Sequence, residues 1–215
     1  MRKEHTAAKP ADPLMEWLMA HDCLLYLPLT QDDTSDRISG NPMQKYAADS
    51  AAWDDSTGMW KFTYVPAQPT GASSYYALWN LKEAVEPQPL TLTCLAEYHA
   101  YGDNNVDNAS NPVWDLYPAR SGFSLYGTRN ATSRSAQVFA LENGVTVQHQ
   151  YRNGAEVGNY PYTSVLQFSH TTGFRVGVTQ YTSHRRTYGL RNVALLKRGL
   201  TLAEADEYFT LIQTQ

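Results

Sequence analysis

One segment of the chain carries oxygen-bearing side chains at a spacing that suits metal binding. Asp103, Asn105 and Asp107 stand at alternate positions, as the ligands at the start of a calcium-binding loop do. The rest of an EF-hand loop is missing, because Asn108 replaces the turn glycine and Trp114 the bidentate glutamate. The three residues are candidate calcium ligands, and the alternative is a polar loop in which Asn and Asp form turns.

The same segment combines aromatic side chains with amides and carboxylates. Sugar-binding sites place a flat aromatic face against the C–H patches of a ring and use amides and carboxylates to bind hydroxyl groups. A loop of about a dozen residues without secondary structure is often functional. The segment is therefore predicted to bind a ligand, the alternative being that its aromatic rings fill one end of the core. The candidate residues are Tyr101, Asp103, Asn105, Asp107, Trp114, Tyr117 and Arg120.

The sequence offers few other candidate metal ligands. Asp32, Asp33 and Asp36 form a second candidate group, again with turn formation as the alternative. Cys23 and Cys94 lie in strand-like runs, and neither belongs to a Cys-x-x-Cys motif or a histidine cluster. We therefore expect no zinc site and favour two buried free thiols over a disulfide.

The carboxylates do not form the pair that glycan cleavage requires. A retaining glycoside hydrolase needs two carboxyl groups about 5–5.5 Å apart, which two alternate positions of one strand can supply. Glu97 and Glu142 occur singly, and no Gly-x-Ser-x-Gly motif marks a nucleophile. We therefore expect no catalytic residues and no enzyme, with a glycoside hydrolase as the lesser alternative.

Composition excludes two classes of partner. The 215 residues carry a net charge of −4, whereas nucleic-acid binding needs a clustered basic surface. No run approaches the roughly 20 apolar residues of a membrane span. Only 18% of residues are charged and 15 are tyrosine, a composition that suits uncharged polar ligands but is also common in β-sandwiches.

Period-two alternation dominates the middle of the chain. It places Cys23, Leu25, Leu27 and Leu29 on one face of a strand, with Pro28 indicating a sheet edge or a strand end. Residues 90–98 give the strongest strand, and Asn153-Gly154 gives the strongest hairpin turn. About eleven or twelve short strands predict an all-β protein, a two-sheet antiparallel sandwich over residues 22–215.

Short helices are predicted at both ends of this sandwich. Leu14, Trp17 and Leu18 have helical spacing and follow a polar, proline-containing arm of residues 1–13, so residues 1–21 are interpreted as an arm with a short helix. Thr201 and Glu204 form a capping box that predicts a helix from Leu202 to about Leu211.

Four motifs in this order resemble laminin-G-like domains of the concanavalin A-like lectin and glucanase superfamily. They are the apolar strand of residues 23–29 followed by acidic residues and Ser39-Gly40-Asn41, the central strand at 90–98, the Asn-Gly hairpin at 151–155, and the closing strand and capped helix at 192–204. The resemblance implies a jelly roll that binds ligands on rim loops or on a concave sheet face, often with calcium. Arg191-Asn192 stands where such domains usually have acidic residues.

These observations favour a non-catalytic binding or adhesion module that recognises a carbohydrate, such as a surface polysaccharide, through its rim loops. The alternative is a structural subunit of a virion or surface appendage. Such a subunit would use residues 1–20 to attach to its own or other protein chains. The sequence leaves the location open between a cell surface, if a signal peptide was removed, and a virion. No nucleic-acid or membrane partner is expected.

Overall fold

The structure is a computed structural model that describes residues 12–63, 76–85, 91–101, 111–117, 122–125, 130–161, 171–177 and 187–214. For residues 85, 111–117, 122–124 and 171 it describes the backbone alone. The described strands are β1 (Cys23–Leu27), β2 (Gln44–Lys45), β3 (Ala51–Asp54), β4 (Met59–Phe62), β5 (Ala77–Val85), β6 (Leu92–Ala100), β7 (Asn111–Tyr117), β8 (Gly122–Leu125), β9 (Thr132–Glu142), β10 (Val145–Arg152), β11 (Ala155–Pro161), β12 (Thr171–Val176) and β13 (Tyr188–Leu196). The described helices are α1 (Pro13–Ala20) and α2 (Leu202–Leu211), with 3-10 turns at Ala48–Ser50 and Ile212–Thr214.

The strands form two antiparallel sheets. The larger sheet has the order β11-β10-β9-β6-β13-β4-β3, and β1 also pairs with β13. The smaller sheet has the order β2-β5-β12-β7-β8. The two-sheet jelly-roll sandwich predicted from the alternation is therefore confirmed.

Two hydrophobic cores lie on opposite faces of the larger sheet. The inner face packs against the smaller sheet, where Trp79 and Phe174 meet Phe62 and Tyr98 of the larger one. The outer face, which points away from the smaller sheet, is covered in part by the two helices. The residues of this second core include Leu14, Trp17, Leu18, Leu95, Val138, Ala194, Leu196, Tyr208 and Phe209.

The alternation predicted for residues 23–29 is wrong at its first position. The register of β1 against β13 shifts between Cys23 and Leu25, which makes Leu24 a β-bulge. The bulge places Cys23 against the outer core and leaves Leu24 in the inner core with Leu25. Cys94 lies fully buried in the inner core, and both thiols are free, as expected. Burial raises the pKa of the Cys23 thiol to about 12.

Both predicted helices are present, and the first begins earlier than expected. The Asp12 carboxylate caps α1 by accepting hydrogen bonds from the N–H groups of Leu14 and Met15, and Pro13 occupies its first turn. Pro13 thus belongs to the helix and not to the arm. Residues 1–11 lie outside the described residues, so their attachment role stays a prediction. No helix in the described part of the chain is long and apolar enough to cross a membrane.

The predicted C-terminal helix matches α2 in both its bounds and its cap. The side chain of Glu204 accepts from the N–H of Thr201, whose hydroxyl accepts from the N–H of Glu204. The indole N–H of Trp17 in α1 donates to Glu207 of α2 at 2.9 Å, which joins the two helices. The sequence also predicts a short strand at residues 165–168, which lie outside the described residues, and it predicts no strand at β2, β3 or β7.

Candidate ligand-binding site

The predicted binding segment connects the two sheets. Tyr101 directly follows β6 of the larger sheet, and β7 of the smaller sheet begins ten residues later at Asn111. Trp114 and Tyr117, which were predicted to lie in or beside the long loop, belong to β7. Trp114 pairs with Phe123 of β8 and with Val176 of β12, so this strand has neighbours on both sides. Asp103, Asn105, Asp107 and Arg120 lie outside the described residues.

Tyr101 is held in place by side chains from the β3–β4 hairpin and from β6. Its hydroxyl group donates to Oδ2 of Asp54 and lies 3.1 Å from Oγ1 of Thr57. The Lys61 ammonium lies 4.7 Å from the Tyr101 ring centroid, within the range of a cation–π contact. The His99 ring meets it edge-on at 4.6 Å. We call Asp54, Thr57, Lys61, His99 and Tyr101 the Tyr101 cluster.

The turn that holds Asp54 is built from small polar residues. Oδ1 of Asp54 accepts from the N–H of Ser56 at 3.0 Å and from its hydroxyl at 2.6 Å, and Oδ2 accepts from Thr57 at 3.1 Å. Gly58 closes the turn with a φ of +63°, which glycine adopts without steric cost. Hydrogen bonds from Ser56 and then Tyr101 hold the pKa of the Asp54 carboxyl well below its usual range. Asp54 is therefore an ionised group whose acceptor sites are already used by the protein.

The aromatic members of the cluster keep their neutral forms at neutral pH. Burial, reinforced by the bond to Asp54, raises the pKa of Tyr101 to about 12. Burial also lowers the pKa of His99, against the opposing charge of Asp54. Tyr101 thus acts as a fixed donor whose contacts set the point where the chain leaves β6.

The acidic group at Asp32, Asp33 and Asp36 forms a turn. The fully buried carboxylate of Asp36 accepts backbone N–H bonds from Tyr26 and Ile38 at 2.9 and 3.0 Å, besides the Ser39 side chain and backbone. Asp33 accepts from the N–H of Ser35 and pairs with Arg37, and Asp32 is exposed. Turn formation, the alternative given for this group, accounts for its sequence.

Glu97 is a structural carboxylate on the outer face. It is 8% exposed, and its Oε2 accepts from Arg191 Nε and from Asn192 Nδ2, each at 2.8 Å. Arg191 and Asn192 are the residues that depart from the family pattern at the closing strand. Their partner is the carboxylate of the neighbouring strand β6, which explains why polar side chains stand at these positions.

Glu142 belongs to a separate bridge at the other end of the sheet. His149 lies between two carboxylates, with Nε2 2.8 Å from Glu142 and Nδ1 2.7 Å from Glu156. Because the carboxylates bind opposite ring nitrogens, the three side chains do not converge on one ion. Among the described residues, no group of three or more His, Cys, Asp and Glu side chains is arranged to hold a metal.

Neither a protein-family model nor a curated protein matches this chain. Solved structures do match, among them the botulinum neurotoxin serotype D binding domain, with a TM-score of 0.58 at 10% identity over 88% of this chain and 52% of that one. The serotype D ligand binding domain in complex with N-acetylneuraminic acid gives 0.58 at 10% identity, over 90% and 52%. The binding domain of botulinum neurotoxin DC in complex with rat synaptotagmin II gives 0.53 at 9% identity, over 88% and 52%.

The chain therefore spans about half the length of these solved structures. At such low identity, the likeness shows that they share the β-sandwich fold. It does not extend to the residues that bind the neurotoxin ligands, because the fold alone carries no information about individual side chains.

Proposed function

We propose that this chain is a non-catalytic binding module that recognises a carbohydrate through the segment between Tyr101 and Arg120. The observation that carries the proposal is the anchoring of Tyr101. With its hydroxyl bound to Asp54 and its ring against Lys61, Tyr101 fixes the start of the segment on the rigid larger sheet. Trp114 and Tyr117 anchor the other end, because they belong to a strand with neighbours on both sides.

Anchoring of this kind favours binding. A segment with both ends fixed loses less conformational entropy when it closes on a ligand, so more of the contact energy appears as affinity. The polar composition of the segment, with Asp103, Asn105 and Asp107, suits the hydroxyl groups of a sugar. Calcium held by these three residues remains part of the proposal, since calcium prefers carboxylate and amide oxygens.

Two observations support a binding role over catalysis. Glu97 is engaged by Arg191 and Asn192, and Glu142 by His149, so each of these carboxylates has a structural partner of its own. The solved structures that share the fold are described as binding domains, and one of them holds N-acetylneuraminic acid. Because their match covers about half of each neurotoxin chain, a sugar or a protein receptor enters here only as a proposed partner class.

The proposal can be tested by glycan-array binding of the purified protein, in calcium and in EDTA. Trp114→Ala is the informative variant, because it removes the largest aromatic surface of the segment. Tyr46→Ala is the matched control, since Tyr46 is a partly exposed aromatic residue beside β2, at the opposite edge of the smaller sheet from β8. Circular dichroism of each variant checks that the sandwich remains folded.

The expected result is binding to a defined glycan that falls at least tenfold in Trp114→Ala and is unchanged in Tyr46→Ala. A fall in EDTA would support the calcium proposed at Asp103, Asn105 and Asp107. Absence of binding in both conditions, or equal binding by a folded Trp114→Ala variant, would overturn the proposal for this segment.

A further inference from the structure

The sequence contains two Asn-Gly pairs, and each forms the turn of a two-residue hairpin. Asn143-Gly144 joins β9 to β10, where Glu142 pairs with Val145, and Asn153-Gly154 joins β10 to β11. Both asparagines have a φ of +50° and both glycines a φ of +79°, the left-handed conformation that such hairpins require. All four residues are exposed. The two pairs therefore share their sequence, their backbone conformation and their access to water.

An Asn-Gly pair can lose the side-chain amide of its asparagine without an enzyme. The backbone nitrogen of the glycine attacks Cγ of the asparagine, a new N–Cγ bond forms, and the amide group leaves as ammonia with the proton of that nitrogen. Water then opens the cyclic imide at either carbonyl, which gives aspartate or isoaspartate. Glycine favours the attack because it has no Cβ atom and its backbone rotates easily. Such chemistry makes asparagine a thermolabile residue.

The Asn153 turn is held by contacts that oppose this reaction. Oδ1 of Asn153 accepts from the N–H of Arg134 in β9 at 2.9 Å, and the N–H of Asn153 donates to the Arg134 carbonyl oxygen at 2.9 Å. These bonds must break before the side chain can turn towards the glycine nitrogen. The Asp206 carboxylate of α2 lies 3.6 Å from a Cβ atom built at Gly154. A negative charge so close opposes the loss of the Gly154 amide proton.

The Asn143 turn has no such contacts in the described part of the chain. No hydrogen bond joins the Asn143 carboxamide to another described residue, and no atom of these residues lies within 4 Å of a Cβ built at Gly144. An exposed turn with few tertiary contacts opens locally at a low cost in free energy. The Asn143 side chain can therefore approach the nitrogen of Gly144 without breaking a hydrogen bond.

We propose that Asn143 is a site of spontaneous modification, at which water converts the residue to aspartate and isoaspartate, while Asn153 is protected by the fold. Isoaspartate carries the chain through its β-carbon, which adds an extra backbone atom to a turn that keeps Glu142 opposite Val145. Its new carboxylate also lies beside Glu142, whose own carboxylate binds His149. Isoaspartate at this position therefore loosens the β9–β10 hairpin. The proposal is independent of any ligand bound by the segment between Tyr101 and Arg120.

The test follows both asparagines while the purified chain is incubated at mildly alkaline pH. Trypsin cleaves after Arg134 and Arg152, so the first pair lies in peptide 135–152 and the second in peptide 153–175. Mass spectrometry measures the conversion of each, and fragment spectra distinguish Asn153 from Asn159. A sample digested before incubation corrects for conversion during digestion. The matched control is the same chain incubated in guanidinium chloride, which removes the contacts of the fold and keeps both sequences.

In the folded chain, we expect Asn143 to convert about fivefold faster than Asn153 or more, since hydrogen bonds protect only Asn153. In guanidinium chloride the two rates should converge. Equal rates in the folded chain, faster conversion of Asn153, or no measurable conversion of Asn143 would overturn the proposal. A difference that persists in guanidinium chloride would overturn it too, because the neighbouring residues and not the fold would then be its cause.

A second measurement tests the effect on the hairpin. Chains with isoaspartate at position 143 are separated by chromatography, and their thermal unfolding is compared with that of the unaltered chain and of Asn143→Asp. We expect a lower midpoint for the isoaspartyl chains than for either comparison protein, because only they carry the extra backbone atom. An isoaspartyl chain with the midpoint of Asn143→Asp would overturn the loosening of the β9–β10 hairpin.

Discussion

The outer face of the larger sheet is divided into two regions that use the same strands differently. In one region, α1 and α2 cover Leu95 of β6 and Ala194 of β13 with apolar side chains. In the other region, Tyr101 donates to Asp54 of the β3–β4 hairpin, and His99 of β6 contacts the Tyr101 ring and the hydroxyl of Thr132 in β9. The first region is dry and tightly packed, whereas the second is half-exposed and polar.

This difference predicts unequal contributions to stability. Buried apolar area supplies most of the free energy of folding, so the helix-covered region should dominate the stability of the sandwich. Exposed polar contacts contribute little net free energy, because they replace equivalent bonds with water. The Tyr101 cluster should therefore contribute less to the free energy of folding than the helix-covered region does.

The largest effect is expected from truncation in the helix-covered region. Leu18 of α1 is fully buried in the outer core, so Leu18→Ala should lower the free energy of unfolding by about 2–5 kcal/mol. Chemical denaturation measures this change. Met19→Ala is the matched control, since Met19 is the next residue of the helix and is 62% exposed. Equal destabilisation by the two variants would show that α1 does not pack on the sheet as described.

A smaller effect is expected at the capping box of α2. Thr201→Ala removes the hydroxyl that accepts from the N–H of Glu204 and should cost about 1 kcal/mol of stability. Thr201→Ser keeps a capping hydroxyl and should retain most of this stability. If alanine and serine gave the same unfolding midpoint, the cap would contribute nothing to the attachment of α2.

The sequence predicted the elements that depend on local patterns. Alternation over residues 90–98 identified β6, the Asn153-Gly154 turn identified the β10–β11 hairpin, and the capping box placed α2. Contacts that depend on register could not be predicted this way. Asp54 meets Tyr101 across 47 positions of the chain, and its turn carries only the general signature of polar residues followed by Gly58.

The bounds of the candidate site also depend on strand pairing, which local sequence patterns do not predict. Trp114 and Tyr117 were predicted to lie in or beside a long polar loop, whereas the structure begins a strand at Asn111. They belong to β7 because this strand gains partners on both sides, and that pairing is non-local.

A still smaller effect on stability is expected in the polar region. Tyr101→Phe removes the hydroxyl that donates to Asp54 and keeps the ring beneath Lys61, so it should lower stability by no more than about 1 kcal/mol. Chemical denaturation of Tyr101→Phe and Leu18→Ala under the same conditions compares the two losses of stability. A loss as large as that of Leu18→Ala would contradict the prediction that the helix-covered region contributes more to stability than the Tyr101 cluster.

The smallest effect concerns the acid titration of the Tyr101 cluster. Because the pKa of Asp54 is lower in the folded chain than in the unfolded one, its contribution to stability is complete above the usual aspartate range. That contribution is lost as the pH falls through this range towards the folded value. In Tyr101→Phe the pKa of Asp54 should rise but stay below its usual range, since the hydrogen bonds from Ser56, the larger cause, remain. Carboxyl NMR titration of both proteins measures the shift, with Tyr46→Phe as the control. An Asp54 titration that Tyr101→Phe leaves unchanged would show that Tyr101 does not donate to Asp54 in solution.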